Sequence, residues 1–166
     1  MATGAWTSLI KSDIALPKVK PIRGQMISYQ TAKRMFGKVI YSPQSYLIPR
    51  RDGRILVGAT SEDIGFDKSV TNLANEILRE RALEIAPSLV NLKISESWTG
   101  LRPFTADGLP ILGEIAENLF IATAHYRNGI LLAPATGKLL AEKVVNNKDS
   151  RYFEAFSPNR GMRDEG

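Results

Sequence analysis

Residues 119–138, LFIATAHYRNGILLAPATGK, join an apolar strand to a polar knot and then to a mostly apolar helix. The knot holds the only histidine of the chain, His125, with Arg127, Asn128 and Gly129. The first turn of a helix carries unpaired backbone N–H groups and a partial positive charge, so this loop is built to face something electron-rich. The 166 residues contain no G-x-G-x-x-G sequence. The stretch therefore predicts one wall of a site for a cofactor or an anion, without the glycine loop that cradles a pyrophosphate.

Working outward, residues 109–112 form a short apolar segment and Asn128–Val145 a closing helix, with Pro134 expected to kink it or tighten its first turn. On the N-terminal side, Leu92 to Arg102 alternates as a strand, with Leu92, Ile94, Trp98, Gly100 and Arg102 on one face. Pro103 should end its pairing. Residues 70–86 place Val70, Leu73, Ala74, Ile77, Leu78, Ala82 and Ile85 at helical spacing, with Ser69 as the cap and Pro87 as the stop. Residues 44–49 and 54–60 are β-rich runs joined through Asp52-Gly53, a strong hairpin signal. Ile22–Tyr29 is a strand, 31–38 a basic loop, and Met1–Ile10 the end of a buried strand running into a turn. The polar, charged end of the chain should fray. The pattern is α+β: a mostly antiparallel mixed sheet with a covering helix, then a strand and helix that join another layer.

Composition narrows the function. With 43% hydrophobic and 23% charged residues, the chain has the make-up of an ordinary globular protein. It has no cysteine, which excludes disulfides, thiolate metal sites and thiol catalysis, and its one histidine excludes a multi-histidine metal centre. No metal is expected. The net charge of +5 is spread over scattered cations with short pairs such as Lys33-Arg34 and Arg50-Arg51, which reads as a solvated surface and not a nucleic-acid footprint. No apolar run reaches the roughly 18 residues of a membrane span, and residues 1–7 lack the features of a signal peptide. A cytoplasmic location is expected.

Arg102 lies on the apolar face of its strand beside Gly100, and an inward arginine must find an anion. A core carboxylate would satisfy it, as would a ligand carboxylate held bidentately. Arg127 heads the last helix, where the dipole already favours anions. Tyr46 alternates with Ile48, so its ring is expected to be buried and its hydroxyl to need a partner. His125 has no serine or carboxylate placed to complete a triad. Glu96, on the Trp98 face, lacks a partner for acid–base work, and Asp107-Gly108 reads as a turn.

Longer motifs are more specific. Residues 98–113, WTGLRPFTADGLPILG, followed by residues 124–137, AHYRNGILLAPATG, resemble the C-terminal portion of glycine oxidase and related FAD-dependent D-amino-acid oxidases. Residues 46–60, YLIPRRDGRILVGAT, look like that family's substrate-domain hairpin, 21–26, PIRGQM, like its leading strand, and 2–7, ATGAWT, like the turn that closes its flavin domain. The resemblance implies a division into 1–16 as a remnant of the FAD-binding domain, 17–105 as the substrate domain, 106–147 as a C-terminal FAD-contacting segment and 148–166 as a tail. The strand-helix of 106–147 would then belong to an incomplete Rossmann-like FAD domain.

By the same resemblance Arg102, Arg127 and Tyr46 contact the substrate. His125, Tyr126, Asn128, Gly129, Ile130 and Leu131, with Gly4 and Trp6, meet FAD. The implied reaction is oxidative deamination of glycine or a small amino acid to an oxo acid, ammonia and hydrogen peroxide, linked to thiamine synthesis, with oxygen as the second substrate and no residue acting as acid or base. A dehydrogenase or sarcosine oxidase relative is the neighbouring alternative, and a truncated fold that binds no flavin is the non-enzymatic one. Ser61 stands where glycine oxidases often carry a bulkier apolar residue, which implies a wider or more polar pocket. Self-association, or pairing with an N-terminal half that supplies the missing cradle, is expected. Without that half the chain is expected to be inactive.

Overall fold

The computed structural model describes residues 1–160, in two compact units: Arg23–Leu101, and Met1–Ile22 with the chain from Arg102 onward.

The first unit is built on a five-stranded sheet. Its strands are β1 (Lys20–Gln30), β2 (Ile40–Tyr41), β3 (Tyr46–Pro49), β4 (Arg54–Gly58) and β5 (Ile94–Phe104), in the order β2-β3-β4-β1-β5. β1, β4 and β3 pair antiparallel, with Met26 opposite Gly58 and Gly58 opposite Tyr46. Because side chains alternate across a strand, this register sends Ile27, Tyr29, Leu47, Ile55 and Val57 to one face. There they form the core with Leu78 and Ala82 of helix α1 (Asn72–Ile85) and with Leu89. Asp52-Gly53 makes the β3–β4 turn as the sequence predicts: the Gly53 N–H donates to the Arg50 carbonyl at 3.3 Å, and Gly53 takes a φ of +87° that other residues resist.

Helix α1 starts later than its apolar spacing suggests. Thr71 caps it, its hydroxyl accepting from the Ala74 N–H at 3.3 Å. Ser69, expected as the cap, accepts from Arg23 instead and donates to Asp67. Ala74, Leu78 and Ala82, four residues apart, form the buried stripe, whereas Leu73 is 67% exposed and lies off the core face. A buried polar node fixes the helix to the sheet. Gln25 on β1 donates to the Thr71 carbonyl and to Asn75 Oδ1, and accepts from the Thr71 N–H. Arg23, 4% exposed, donates to Glu62, Asp67 and Ser69, so the loop after β4 closes onto the same strand. A buried cation needs such partners.

The second unit contains a two-stranded antiparallel sheet of β6 (Ile111–Ala116) and β7 (Leu119–Thr123), helix α2 (Gly129–Asn146) and a short helix α3 (Arg151–Ala155). Val19, Ile111, Ile121 and Ala124 form its core, with Met1 and Ile115 against it. The turn expected within Met1–Ile10 is present as a 3-10 turn over Gly4–Leu9, whereas the strand end expected before it is not: residues 1–3 form no strand. Gly4 has a φ of +54°, and the Thr7 hydroxyl donates to the Gly4 carbonyl at 2.7 Å, so local hydrogen bonding replaces the extended path. β5 also differs from expectation: it runs through Pro103 to Phe104. A proline fits a strand where its nitrogen faces no ladder partner. Among the described residues no helix is long and apolar enough to cross a membrane.

The expected fraying after Asn146 is only partly testable, because residues 161–166 lie outside the described residues. Up to Arg160 the segment is tied down. The Leu112 N–H donates to the Phe156 carbonyl at 2.8 Å, and Arg160 grips both oxygens of Asp107, at 2.6 and 3.0 Å, and also donates to the carbonyls of Leu109 and Pro110. This bidentate pair, first of all, holds the Asp107 carboxyl well below the usual carboxylate range, helped by the Leu109 N–H. A carboxylate whose pKa is depressed on folding stabilises the fold above its unfolded pKa of about 3.9 and loses that contribution as pH falls toward its folded value. Asp107→Asn should therefore melt below the wild type at neutral pH, and the gap should narrow progressively below about pH 4. Thermal denaturation at stepped pH checks this; a gap that stays constant into strong acid would contradict it.

Candidate functional site

The turn between β7 and α2 departs furthest from ordinary backbone geometry. Ala124 and Tyr126 flank His125 with φ values of +60° and +47°, a left-handed conformation that non-glycine residues adopt only when their surroundings compel it. The compulsion is visible. Ala124 is buried in the core of its unit, and the His125 ring nitrogen Nε2 lies 2.9 Å from the hydroxyl of Thr136, two turns up the helix. Burial pushes the His125 pKa down, so the ring is more fully neutral near pH 7 than a free histidine. Its partner is a hydroxyl, which gives it a structural bond and no catalytic relay.

A single 3-10 turn, Tyr126–Asn128, then feeds α2. Asn128 occupies the cap position, but its side chain makes no capping hydrogen bond. The first residues of the helix are open: Ile130 is 95% and Leu131 77% exposed. Uncapped N–H groups beside bare apolar side chains make a surface for a partner that is both flat and electron-rich. The chain's own sequence offers no glycine loop for the pyrophosphate.

Two further contacts assemble this wall. Phe104, two residues beyond Arg102, packs edge-on against Tyr126 with ring centroids 5.0 Å apart, and Tyr126 adjoins Arg127. The strand end that carries Arg102 and the loop that carries Arg127 are thus in contact; Arg102 is half-buried and Arg127 exposed. The Thr7 hydroxyl lies 3.0 Å from that of Thr123, which also donates to the Gly4 carbonyl at 3.2 Å, so the Gly4–Leu9 turn is fastened to the end of β7 just before the strained turn. Gly4 is thereby brought to the same end of the unit; Trp6, in the same turn, is partly exposed.

Tyr46 belongs to the sheet unit. It shares a face with Ile48, as expected, but that face is turned away from α1, and the ring is half-buried instead of part of the core. Its hydroxyl donates to Met26 Sδ at 4.0 Å, and Tyr41 packs beside it with centroids 5.8 Å apart. A Cβ on Gly58 would overlap the Tyr46 ring, so glycine is what lets the ring lie flat on β4. Glu96 is exposed, with a guanidinium nitrogen of Arg54 3.9 Å away. Of these features, the sequence alone could have flagged Gly58, as a glycine inside a strand marking a close approach. The Thr7–Thr123, His125–Thr136 and Phe104–Tyr126 contacts leave no local signal.

Residues 1–143 match the family described as FAD dependent oxidoreductase. Glycine oxidase from Pseudomonas aeruginosa is 41% identical over 145 residues, covering 86% of this chain and 40% of that protein. The bifunctional protein ThiO/ThiG of a Synechocystis species is 40% identical over 166 residues, covering 96% of this chain and 25% of that protein. The crystal structure of glycine oxidase from Geobacillus kaustophilus superposes with a TM-score of 0.86 at 35% identity, covering 95% of this chain and 44% of that one. The chain thus spans less than half the length of the relatives it matches.

Gly58→Ala should force the Tyr46 ring off the sheet and destabilise the unit by about 1–3 kcal/mol, the usual cost of overpacking. In a Tyr46→Ala background the same change should cost little, because the obstructing ring is gone. Urea denaturation of the four proteins in the cycle measures the difference; equal penalties in both backgrounds would show that the ring is not what Gly58 accommodates.

Proposed function

The chain belongs to the FAD dependent oxidoreductase family, and on that premise we propose that it carries the substrate-binding and flavin-contacting residues of a glycine or D-amino-acid oxidase. The observation that supports this reading most is the wall described above: Arg102 and Arg127 on contacting segments, beside an uncapped helix start with exposed apolar residues. The substrate is a small amino acid, with glycine the leading candidate and oxygen the acceptor. A place in thiamine synthesis is part of the proposal.

The arginines carry the chemistry of recognition. A guanidinium is planar and permanently charged, and it holds a carboxylate through two parallel hydrogen bonds. We assign the carboxylate clamp to Arg102, with Arg127 supplying further positive charge at the helix start. Tyr46 is assigned a hydroxyl contact to substrate. Fixing the carboxylate restricts rotation of the amino acid, so that the Cα–H bond is held in one direction, and alignment of this kind lowers the barrier without a protein base. The first N–H groups of α2 face a region where they would stabilise negative charge, as helix N-termini do. FAD, if bound, would supply the two-electron oxidation: the amino acid would give up a hydride and a proton to become an imino acid, which water converts to an oxo acid and ammonia, and oxygen would take the two electrons and two protons as hydrogen peroxide. His125, bonded to Thr136, takes no part in proton transfer in this scheme. Association through the exposed apolar residues of α2, with a second copy or with a flavin-cradling segment, belongs to the same reading.

The purified protein tests it directly. With a flavin-cradling N-terminal half supplied, visible flavin absorbance and peroxide release on addition of glycine, sarcosine or D-alanine are the expected result, and the chain alone should release none. A colourless protein without peroxide release would favour a fold that binds no flavin. In an active preparation, Arg102→Lys should raise KM by roughly ten- to a hundredfold, because the lysine keeps the charge but loses the two-bond fork. Unchanged kinetics in that variant would remove Arg102 from the clamp.

A further inference from the structure

The sheet unit holds a concavity, at the tip of the β3–β4 hairpin, that the proposed oxidase chemistry does not use. It is an open cleft of about 400 Å³ lined by Arg34, Pro49, Arg50, Arg51 and Asp52. We propose that this cleft is a binding site for a small phosphate-bearing anion. Three observations carry the proposal.

The first is charge. Three arginines line one cleft, and among the described residues none of the three forms a salt bridge. The only carboxylate in the lining, Asp52, is committed elsewhere. It accepts from Arg54 Nε at 2.9 Å and from the Arg54 N–H at 3.1 Å, and these bonds keep it below the ordinary aspartate range, with Arg50 adding a smaller attraction. The cleft therefore keeps an excess of positive charge.

The second is rigidity. Arg34 comes from the 31–38 loop, while Arg50 and Arg51 come from the hairpin turn, and the two segments are stitched together. The Thr31 N–H donates to the Gly53 carbonyl at 3.1 Å, and the Thr31 hydroxyl donates to the same carbonyl at 2.7 Å. Gln30 Nε2 donates to the Asp52 carbonyl at 3.1 Å. A Cβ on Gly53 would overlap the Thr31 carbonyl, so the approach depends on glycine. Arg34 is itself steadied by a 2.8 Å bond from Nη2 to the Gly37 carbonyl. Like charges on free loops drift apart; here the backbone holds them at one cleft, and an anion would relieve the repulsion.

The third is chemistry. Guanidinium forks match the oxygens of phosphate, and several arginines from two segments can grip one group from different sides. The volume lies within the range of small-ligand pockets.

Isothermal titration of the full chain with inorganic pyrophosphate at low ionic strength should show one saturable site per chain. Arg50→Gln with Arg51→Gln should weaken it by at least about tenfold, or about 1.4 kcal/mol. Lys138→Gln with Lys148→Gln removes the same charge from the other unit and should change it less than about twofold, the scale expected of screened surface charge. Gly53→Val should abolish binding by separating the walls, and circular dichroism identifies any preparation that fails to fold; the arginine pair, on the surface, gives the answer independently. The absence of saturable binding, or equal losses in the arginine and lysine pairs, would overturn the proposal. So would acetate or an acidic peptide binding more tightly than pyrophosphate. None of these readouts depends on flavin or oxidase activity.

Discussion

The register that sets Met26 opposite Gly58, and Gly58 opposite Tyr46, governs the whole sheet unit. Side chains alternate with a period of two, so a slip of one residue would exchange the buried and open faces. In the observed register Tyr29, Leu47 and Val57 meet α1, and Met26, Tyr46 and Tyr41 form a row on the opposite face. Two glycines hold this arrangement. Gly53 closes the turn at a positive φ, and Gly58 leaves room for a ring. Apolar burial alone would tolerate several pairings; the turn geometry and the missing Cβ select one.

Buried polar groups add a second layer of specification. Gln25 has no exposure, yet its amide finds partners in Thr71 and Asn75, so α1 can dock in only one position along β1. Arg23 performs the same task for the loop after β4 through Glu62 and Asp67. Glu62 feels opposing influences: its own burial, the largest, raises its pKa, while the bonds from Arg23 and Thr60 lower it, and the net direction is downward. The geometry supports that direction, because a carboxylate 2.6 Å from a buried guanidinium is stabilised in its charged form. Unsatisfied, either group would weigh against folding; paired, they exclude alternative dockings.

What was legible in the sequence follows the range of the interaction. Asp52-Gly53 announces its hairpin because a primed turn needs those residues whatever surrounds it, and the apolar spacing of Ala74, Leu78 and Ala82 announces α1 for the same local reason. The cap of α1 is not fixed by local sequence, because Ser69 and Thr71 are both competent caps and the distant Arg23 claims Ser69. The tether at Arg160 leaves no local signal, because its anchor, Asp107, lies 53 residues earlier in the chain. Arg102, Arg127 and Tyr46 stand out as residue types in context, and the roles proposed for them rest on the family likeness. The contacts that position the first two, Phe104 with Tyr126 and Thr7 with Thr123, join segments that no periodicity connects.

The places where local rules fail are not scattered. Elsewhere propensity, burial and hydrogen bonding agree, as they must for one fold to win. Around residue 125 they conflict: two non-glycine residues in left-handed backbone, a cap position whose side chain does not cap, and two large apolar side chains bare to solvent within eight residues. Each feature alone is mildly unfavourable, and a sequence selected only for stability could remove any of them by a single substitution. Their coincidence at one helix start is the pattern expected where strain and exposure are retained for a ligand. The exposed apolar residues want a flat surface to pack against, and the free N–H groups want an acceptor on it. A partner that is both flat and electron-rich would meet both demands at once, and a flavin ring is the one proposed above.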